Sequence, residues 1–404
     1  MNRVVITGAG TVNPLAPDVA GTFEAFGAGR VAVGRLDIPK ADRLTSALGA
    51  QVHGWVPELH FDRKLLPLYD RYTQFALVAA RQAVADAGLD LPGSALAMRV
   101  GVILGNAGGG LGTIDDSYHE VYALGKNRVH PFTVPRLMAS AAASQIGMEH
   151  GLLGPTFTVT TACASSNHAM GLAFQMIRAG AAPLMLTGGA EAMLCFGGLK
   201  AWEGMRVMTA DAVRPFSADR SGMAQGEGAA VFVFEDLTHA RARKAQVLAE
   251  VVGFAMTADA HNTIQPSQNG AERAMAGALA DAGLDGGAVQ YINAHGTGTQ
   301  VNDRVESAAI HAVFRNHAAR LLVSSTKSMH GHLIGGAGAV ELLACILAVQ
   351  GGVVAPTAGH RVTDPECRLD VVPNHARRLT VDLALSNAFA FGGLNAVLAL
   401  RAAP

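Results

Sequence analysis

The stretch TVTTACASSNHAMGLAFQMIRAG, residues 158–180, sets a single cysteine, Cys163, between a β-branched run and a strongly apolar segment. Val and Thr in TVTT suit a pleated strand. The Ala, Met, Leu, Phe and Ile that follow have helical length, and Gly180 stands where such a helix would stop. Cys163 is therefore expected at a strand-to-helix junction, near a helix N-terminus, where unpaired N–H groups and the helix dipole favour a thiolate. Two readings stay open on this segment alone: a nucleophile, or the small buried core residue that most free cysteines are.

The rest of the chain frames the choice. At 404 residues the length allows two or three domains. Half the residues are hydrophobic and only 16% are charged, which implies a large core and extensive buried interfaces. A net charge of −1 advertises neither nucleic acid nor an anionic membrane as partner. The start, MNRVVITGAG, does not read as a signal peptide. The apolar run AVELLACILAVQ carries Glu341 and reads as too short to span a bilayer, so no integral membrane segment is expected. Cys163, Cys195, Cys345 and Cys367 show no paired spacing, which fits a reducing cytoplasm and neither a disulfide framework nor a zinc site.

Strand-like and helix-like runs alternate: VVITG, a helix near Tyr72–Gly88, RVGVILG, the Cys163 junction, PLMLTGGAEAM and GAAVFVFEDL. The pattern restarts around Lys244–Val252, with a helix near Ala271–Gly283, the strand YINAHGTGT, a helix near Asp303–Phe314, and LLVSSTKS. Such alternation predicts an α/β protein. The later segment MHGHLIGGAGAVELLACILAVQGG echoes the opening stretch, with a polar entry, small residues, an apolar helix and a Gly stop. Two helices apolar all round must be buried on every side. The echo predicts two α/β halves, residues 1–246 and 247–404, each placing one buried helix at a shared centre.

ITGAGTVNP looks like a dinucleotide loop, but Asn13 stands where the third glycine belongs, so no such site is expected. His330 and His332 have no acid or cysteine at ligand spacing, so no metal is expected either. More informative are two loops dense in small polar residues. NAHGTGTQVND holds His295 after a strand, and SSTKSMHGHLIGGAGAVE holds Lys327, His330 and His332 before the second buried helix. A third loop, SNAFAFGGLNAV, offers backbone N–H groups for an oxyanion. Active sites of open α/β sheets lie beyond the carboxyl ends of strands, where all three loops are expected.

TTACASS, NAHGTGTQVND, STKSMHGHLIGGAGAVE and NAFAFGGLNAV resemble the condensing enzymes, more narrowly the β-ketoacyl-acyl-carrier-protein synthases of the synthase I/II type. The likeness runs from VVITGAGTVNPLA onward and includes RPFSADRSGMAQGEGAAVFVFEDLTHARARKA. LKAWEGMRVM, NDRVESAAIHAVF and PECRLDVVPN are similar in particular to the nodulation protein E branch, which builds specialised acyl chains. The resemblance implies a thiolase fold in five αβαβα layers. It implies a catalytic triad of Cys163, His295 and His332, with Lys327 and Glu341 as a supporting pair and the N–H groups of Cys163 and Phe391 as oxyanion hole. It places Gly108, Thr133, Phe389 and Phe391 at the acyl pocket and gate, and Thr297 and Thr299 on the malonyl or pantetheine arm. Arg63, Lys64, Lys126, Arg128 and Arg206 become candidates for docking an acyl carrier protein, though each also reads as an ordinary surface charge.

The implied activity is decarboxylative Claisen condensation of a Cys-bound acyl group with malonyl carrier protein. No cofactor is implied beyond the phosphopantetheine that brings the substrates. The implied partners are the carrier protein and a second subunit, identical or resembling a chain-length factor. Two positions depart from the synthase II pattern: Gly108 stands where a bulky aliphatic residue is usual, and Thr133 where a Phe is common. Both are smaller, which predicts a roomier acyl tunnel and a specialised chain. A primary fatty-acid synthase II is the alternative. A degradative thiolase fits less well, since SNAFAFGGLNAV lacks the second cysteine of those enzymes, and an inactive chain-length factor would lack Cys163.

Overall fold

Strand residues alternate between two faces, and here both faces are apolar, so each strand needs cover on both sides. The computed structural model, which describes residues 1–404, meets that need with ten strands. They are β1 (Val4–Val12), β2 (Gly101–Gly105), β3 (Thr156–Val159), β4 (Leu184–Glu191), β5 (Gly228–Asp236), β6 (Ala249–Ala258), β7 (Tyr291–Asn293), β8 (Leu322–Ser324), β9 (Leu383–Ala390) and β10 (Leu394–Arg401). Their order is β8-β7-β9-β10-β6-β1-β5-β4-β2-β3.

Counted outward from the centre, each half runs first, fifth, fourth, second, third. The pairing senses repeat as well. β2 is parallel to β3 and β4, as β7 is to β8 and β9, and the remaining pairs in each half are antiparallel. The halves join where Val4–Ile6 of β1 pair antiparallel with Val251–Ala249 of β6. The duplication that the sequence only echoes is thus present in the topology.

Three helices of each half occupy matching places: α1 (Arg71–Asp86), α2 (Ala141–His150) and α3 (Ser165–Arg178), then α5 (Gln268–Ala282), α6 (Gln300–Phe314) and α7 (Ala337–Gly351). A further helix, α4 (Phe196–Gly204), follows β4. α1 and α2 cover one outer face and α5 and α6 the other, while α3 and α7 pack against each other between the two halves of the sheet. These are the five layers of the thiolase fold.

The strand alternation sorts the core accordingly. Ala230, Phe232 and Phe234 of β5 face the central layer, and Ala229, Val231 and Val233 face the outer one. With the short turn before it, α7 reaches 18 residues, Ile334–Gly351, so its apolar run does attain a bilayer's length, contrary to the sequence expectation. Its place is nevertheless the protein interior, where 83% of the run is buried. The ITGAGTV segment is strand throughout. Its Gly8 and Gly10 are needed because a Cβ there would strike the α1 backbone at Ala83 and Ala79.

Candidate active site

Cys163 follows β3 and precedes α3, as the sequence reading expects. The turn that presents it is strained: Ala162, a residue with a side chain, is held at φ +47°. A conformation of that kind costs on the order of 1–3 kcal/mol and persists only where the surroundings enforce it. The other two loops arrive from the second half, His295 just after β7 and His332 between β8 and α7. The Cys163, His295 and His332 donor atoms all lie within 4.8 Å of one another. The three line a cavity of about 270 Å³ together with Thr297, Thr299, Phe389 and Phe391.

Electrostatics correct one expectation. Cys163 is 6% exposed, and burial pushes its thiol up to about 12, against the opposing pull of the Lys327 charge and of the N–H groups of Phe391 and Cys163 itself. The helix-entry position therefore does not yield a resting thiolate, because desolvation outweighs the nearby donors. Cys163 and Phe391 do line the same cavity, as an oxyanion hole built from their N–H groups requires.

Burial, then the Lys327 charge, holds both imidazoles well below their usual 6.5, so both are neutral at pH 7. The rings meet edge to face with centroids 5.4 Å apart. His332 Nδ1 accepts the Ile334 N–H at 3.2 Å, which leaves the proton on Nε2. That Nε2 is buried with no partner, a donor aimed at nothing in the protein. The backbone N–H groups of His295 and Gly296 donate to the Glu306 carboxylate at 2.9 and 2.8 Å, and Asn387 Nδ2 donates to it at 3.1 Å. Lys327 and Glu341 form a fully buried ion pair, in which Glu341 Oε2 keeps no partner.

His330 turns away from the cavity, with Nε2 3.0 Å from Thr326 Oγ1, and burial takes it down to about 3. In space His332 joins Cys163 and His295, a donor set that a thiophilic cation would fit.

Other expectations fare unevenly. Gly108 and Thr133 do not line the cavity. The room above Gly108 is taken: a Cβ there would lie 2.9 Å from Met193 Sδ and 3.0 Å from its Cγ. Thr133 is buried, its hydroxyl 3.5 Å from that of Ser117. Met193 thus fills the room that the small Gly108 was expected to leave. Arg206 reaches the cavity mouth, whereas Arg63, Lys64, Lys126 and Arg128 are exposed away from it, and Lys126 is paired with Glu120 at 2.7 Å.

Sequence reasoning missed Glu191, at the end of β4, which accepts from the Ala107, Gly108 and Gly335 N–H groups at 2.7, 3.1 and 3.1 Å. An acid closing the apolar run LTGGAE was the available signal. It missed Glu306 and Trp202 too, although both lie in segments, NDRVESAAIHAVF and LKAWEGMRVM, that resemble the nodulation protein E branch.

A duplicated α/β frame that brings a buried thiol, two N–H donors and two neutral imidazoles to one cavity is built for acyl transfer through a cysteine thioester. Comparison with known proteins makes the assignment specific. The β-ketoacyl synthase N-terminal domain matches residues 1–240 and the C-terminal domain residues 248–361. Nodulation protein E of Rhizobium sp. (strain N33) is 48% identical over 399 residues, 99% of each chain. The 3-oxoacyl-[acyl-carrier-protein] synthase 2 of Staphylococcus aureus (strain N315) is 40% identical over 407 residues, 99% of this chain and 98% of that one. Among solved structures, the ishigamide ketosynthase/chain length factor superposes with a TM-score of 0.95 at 35% identity, covering all of both chains. The chain belongs to the β-ketoacyl synthase family and is an acyltransferase of the condensing type.

Proposed function

We propose that the protein elongates a specialised acyl chain, of the polyketide, polyene or nodulation type, by decarboxylative condensation with malonyl carrier protein. The observation that carries the reaction is the convergence of Cys163, His295 and His332 on one cavity. In the first step the Cys163 sulfur attacks the acyl thioester, the N–H groups of Cys163 and Phe391 hold the developing oxyanion, and the carrier thiol leaves with the cysteine's proton. In the second, carrier-bound malonate loses CO₂. The thioester enolate oxygen accepts hydrogen bonds from His332 Nε2 and His295, which must be neutral, proton-bearing donors for this role. The enolate carbon then attacks the acyl-cysteine carbonyl, releasing 3-ketoacyl carrier protein and the Cys163 thiolate, which regains a proton. Burial, reinforced by the charge of Lys327 in its pair with Glu341, keeps both imidazoles neutral. Thr297 and Thr299, whose hydroxyls lie 2.8 Å apart on the cavity wall, suit the pantetheine arm.

The higher identity to nodulation protein E than to the synthase 2 relative supports the specialised chain. Arg206 at the mouth is the basic group best placed for an acidic carrier. A second subunit, identical or like a chain-length factor, has two features to cover: the exposed edge strand β3 with Phe157, and the exposed Tyr118, Tyr122, Phe132 and Val134. The reaction needs no cofactor beyond the carrier's phosphopantetheine, and four free cysteines suit a reducing cytoplasm.

The test is condensation with malonyl carrier protein and a panel of acyl carriers differing in length and unsaturation. Preference for unsaturated or long acyl groups is expected. Equal turnover of ordinary saturated chains would return the protein to primary fatty-acid synthesis, and cleavage of coenzyme A esters in place of condensation would indicate a thiolase.

A further inference from the structure

Trp202, on α4 of the first half, stacks on Phe391 of the second, with ring centroids 5.9 Å apart and planes inclined by 23°. Both rings line the cavity that holds Cys163. The helix beneath Trp202 is anchored, since Leu199 is fully buried against Leu36 and Leu194. The chain after Phe391 is the opposite. Gly392 and Gly393 both adopt left-handed backbone, at φ +80° and +68°, and Gly392 is exposed. Two consecutive glycines there give the Phe391 segment freedom that other residues would deny it. Its main-chain ties run to an outer loop, through Gly392 N–H to Thr263 O at 2.7 Å and Asp259 N–H to Gly393 O at 2.8 Å. The Phe391 ring is thus held on its other flank by the indole, and Phe391 lines the cavity beside Cys163.

We propose that Trp202 is a positioning residue for the condensation reaction: its indole pins the Phe391 ring and so keeps the Phe391 N–H on the Cys163 sulfur. The inference rests on the reading of Phe391 as an oxyanion donor. Stacked aromatic pairs add stabilisation beyond their burial, and this pair spends it across the boundary between the half that carries the nucleophile and the half that carries the donor. The indole's aromatic contact is with Phe391 alone.

The test combines Trp202→Ala, Trp202→Phe and Phe391→Leu, the last removing the ring but not the N–H. Loss of an oxyanion donor slows catalysis about 10²–10³-fold, and a donor left mobile is expected to lose roughly 10–10² of that. Trp202→Ala should therefore slow acyl loading of Cys163 by about that factor, with KM for malonyl carrier protein unchanged. The rate of iodoacetamide alkylation of Cys163 at about pH 8, followed by peptide mass spectrometry, should fall. Trp202→Phe should restore both to near wild type. Phe391→Leu should match Trp202→Ala, and the double variant should be no worse than either single one, because the two side chains act as one contact.

Wild-type loading in folded Trp202→Ala, additive effects in the double variant, or failure of Trp202→Phe to restore loading would each overturn the inference. If Trp202→Ala does not fold, Phe391→Leu and Trp202→Phe decide it alone, through a loading defect in the first and near-normal loading in the second. Acyl groups found on a cysteine other than Cys163 would instead overturn the site assignment beneath it.

Discussion

Lys327→Met removes the one charge that acts on Cys163, His295, His332 and Glu341 together. Lys327 and Glu341 are 0% and 1% exposed, and the ammonium is the only hydrogen-bond donor to the carboxylate. Breaking a buried pair from one side costs about 3–5 kcal/mol, because the remaining charge is uncompensated. The loss depends on pH. Burial already raises the Glu341 carboxyl above 4.5, and both influences that oppose the rise come from Lys327. Without the lysine the folded-state value climbs further. Between the unfolded value and that raised value the folded state holds a proton the unfolded state has lost, so stability falls as pH rises through this window. Lys327→Met should therefore fold well near pH 5 and lose about 3–5 kcal/mol against wild type by pH 8–9.

A second consequence is catalytic. Lys327 depresses both imidazoles. Its removal should let them protonate at higher pH, moving the acid limb of malonyl decarboxylation upward. Guanidinium unfolding at three pH values and a decarboxylation pH profile measure the two effects. Glu341→Leu added to Lys327→Met should recover most of the stability. A Lys327→Met protein that unfolds at the wild-type midpoint at every pH, or gains nothing from Glu341→Leu, would refute the reasoning.

Gly108→Ile should be overpacked by about 1–3 kcal/mol, because the new side chain meets Met193, and Met193→Ala should relieve it in a double-mutant cycle read by denaturant midpoint. Glu191→Gln must turn an amide NH₂ toward at least one of three backbone N–H groups, so a loss of about 1–3 kcal/mol is expected by the same assay. His332→Ala should slow CO₂ release from malonyl carrier protein by about 10²–10³ while still permitting Cys163 acylation, measured by gas evolution and intact mass.

The sequence speaks most clearly where local chemistry repeats. Cys163 at the entry to α3, His295 in its Gly/Thr loop and His332 before α7 are each legible as isolated signals. The apolar helices around Phe174 and Ile346 betray the duplication, because only a doubly covered layer accepts them. What resists reading is contact between segments remote along the chain. Nothing near Gly108 reveals that Met193 occupies its space, so a missing side chain looks like a vacancy. Nothing near Cys163 reveals how dry its surroundings are, and dryness rather than the helix dipole decides its protonation. The strand order, too, comes from pairings such as β1 with β6 that no short stretch encodes.

The most direct measurement is intact and peptide mass spectrometry after incubation with an acyl carrier substrate, for the wild type and Cys163→Ala. The wild type should carry one acyl group on the peptide containing Cys163, and folded Cys163→Ala should carry none and form no 3-ketoacyl product. An acyl group on Cys195 or Cys345, or condensation that survives the substitution, would contradict the assignment of Cys163 as the nucleophile.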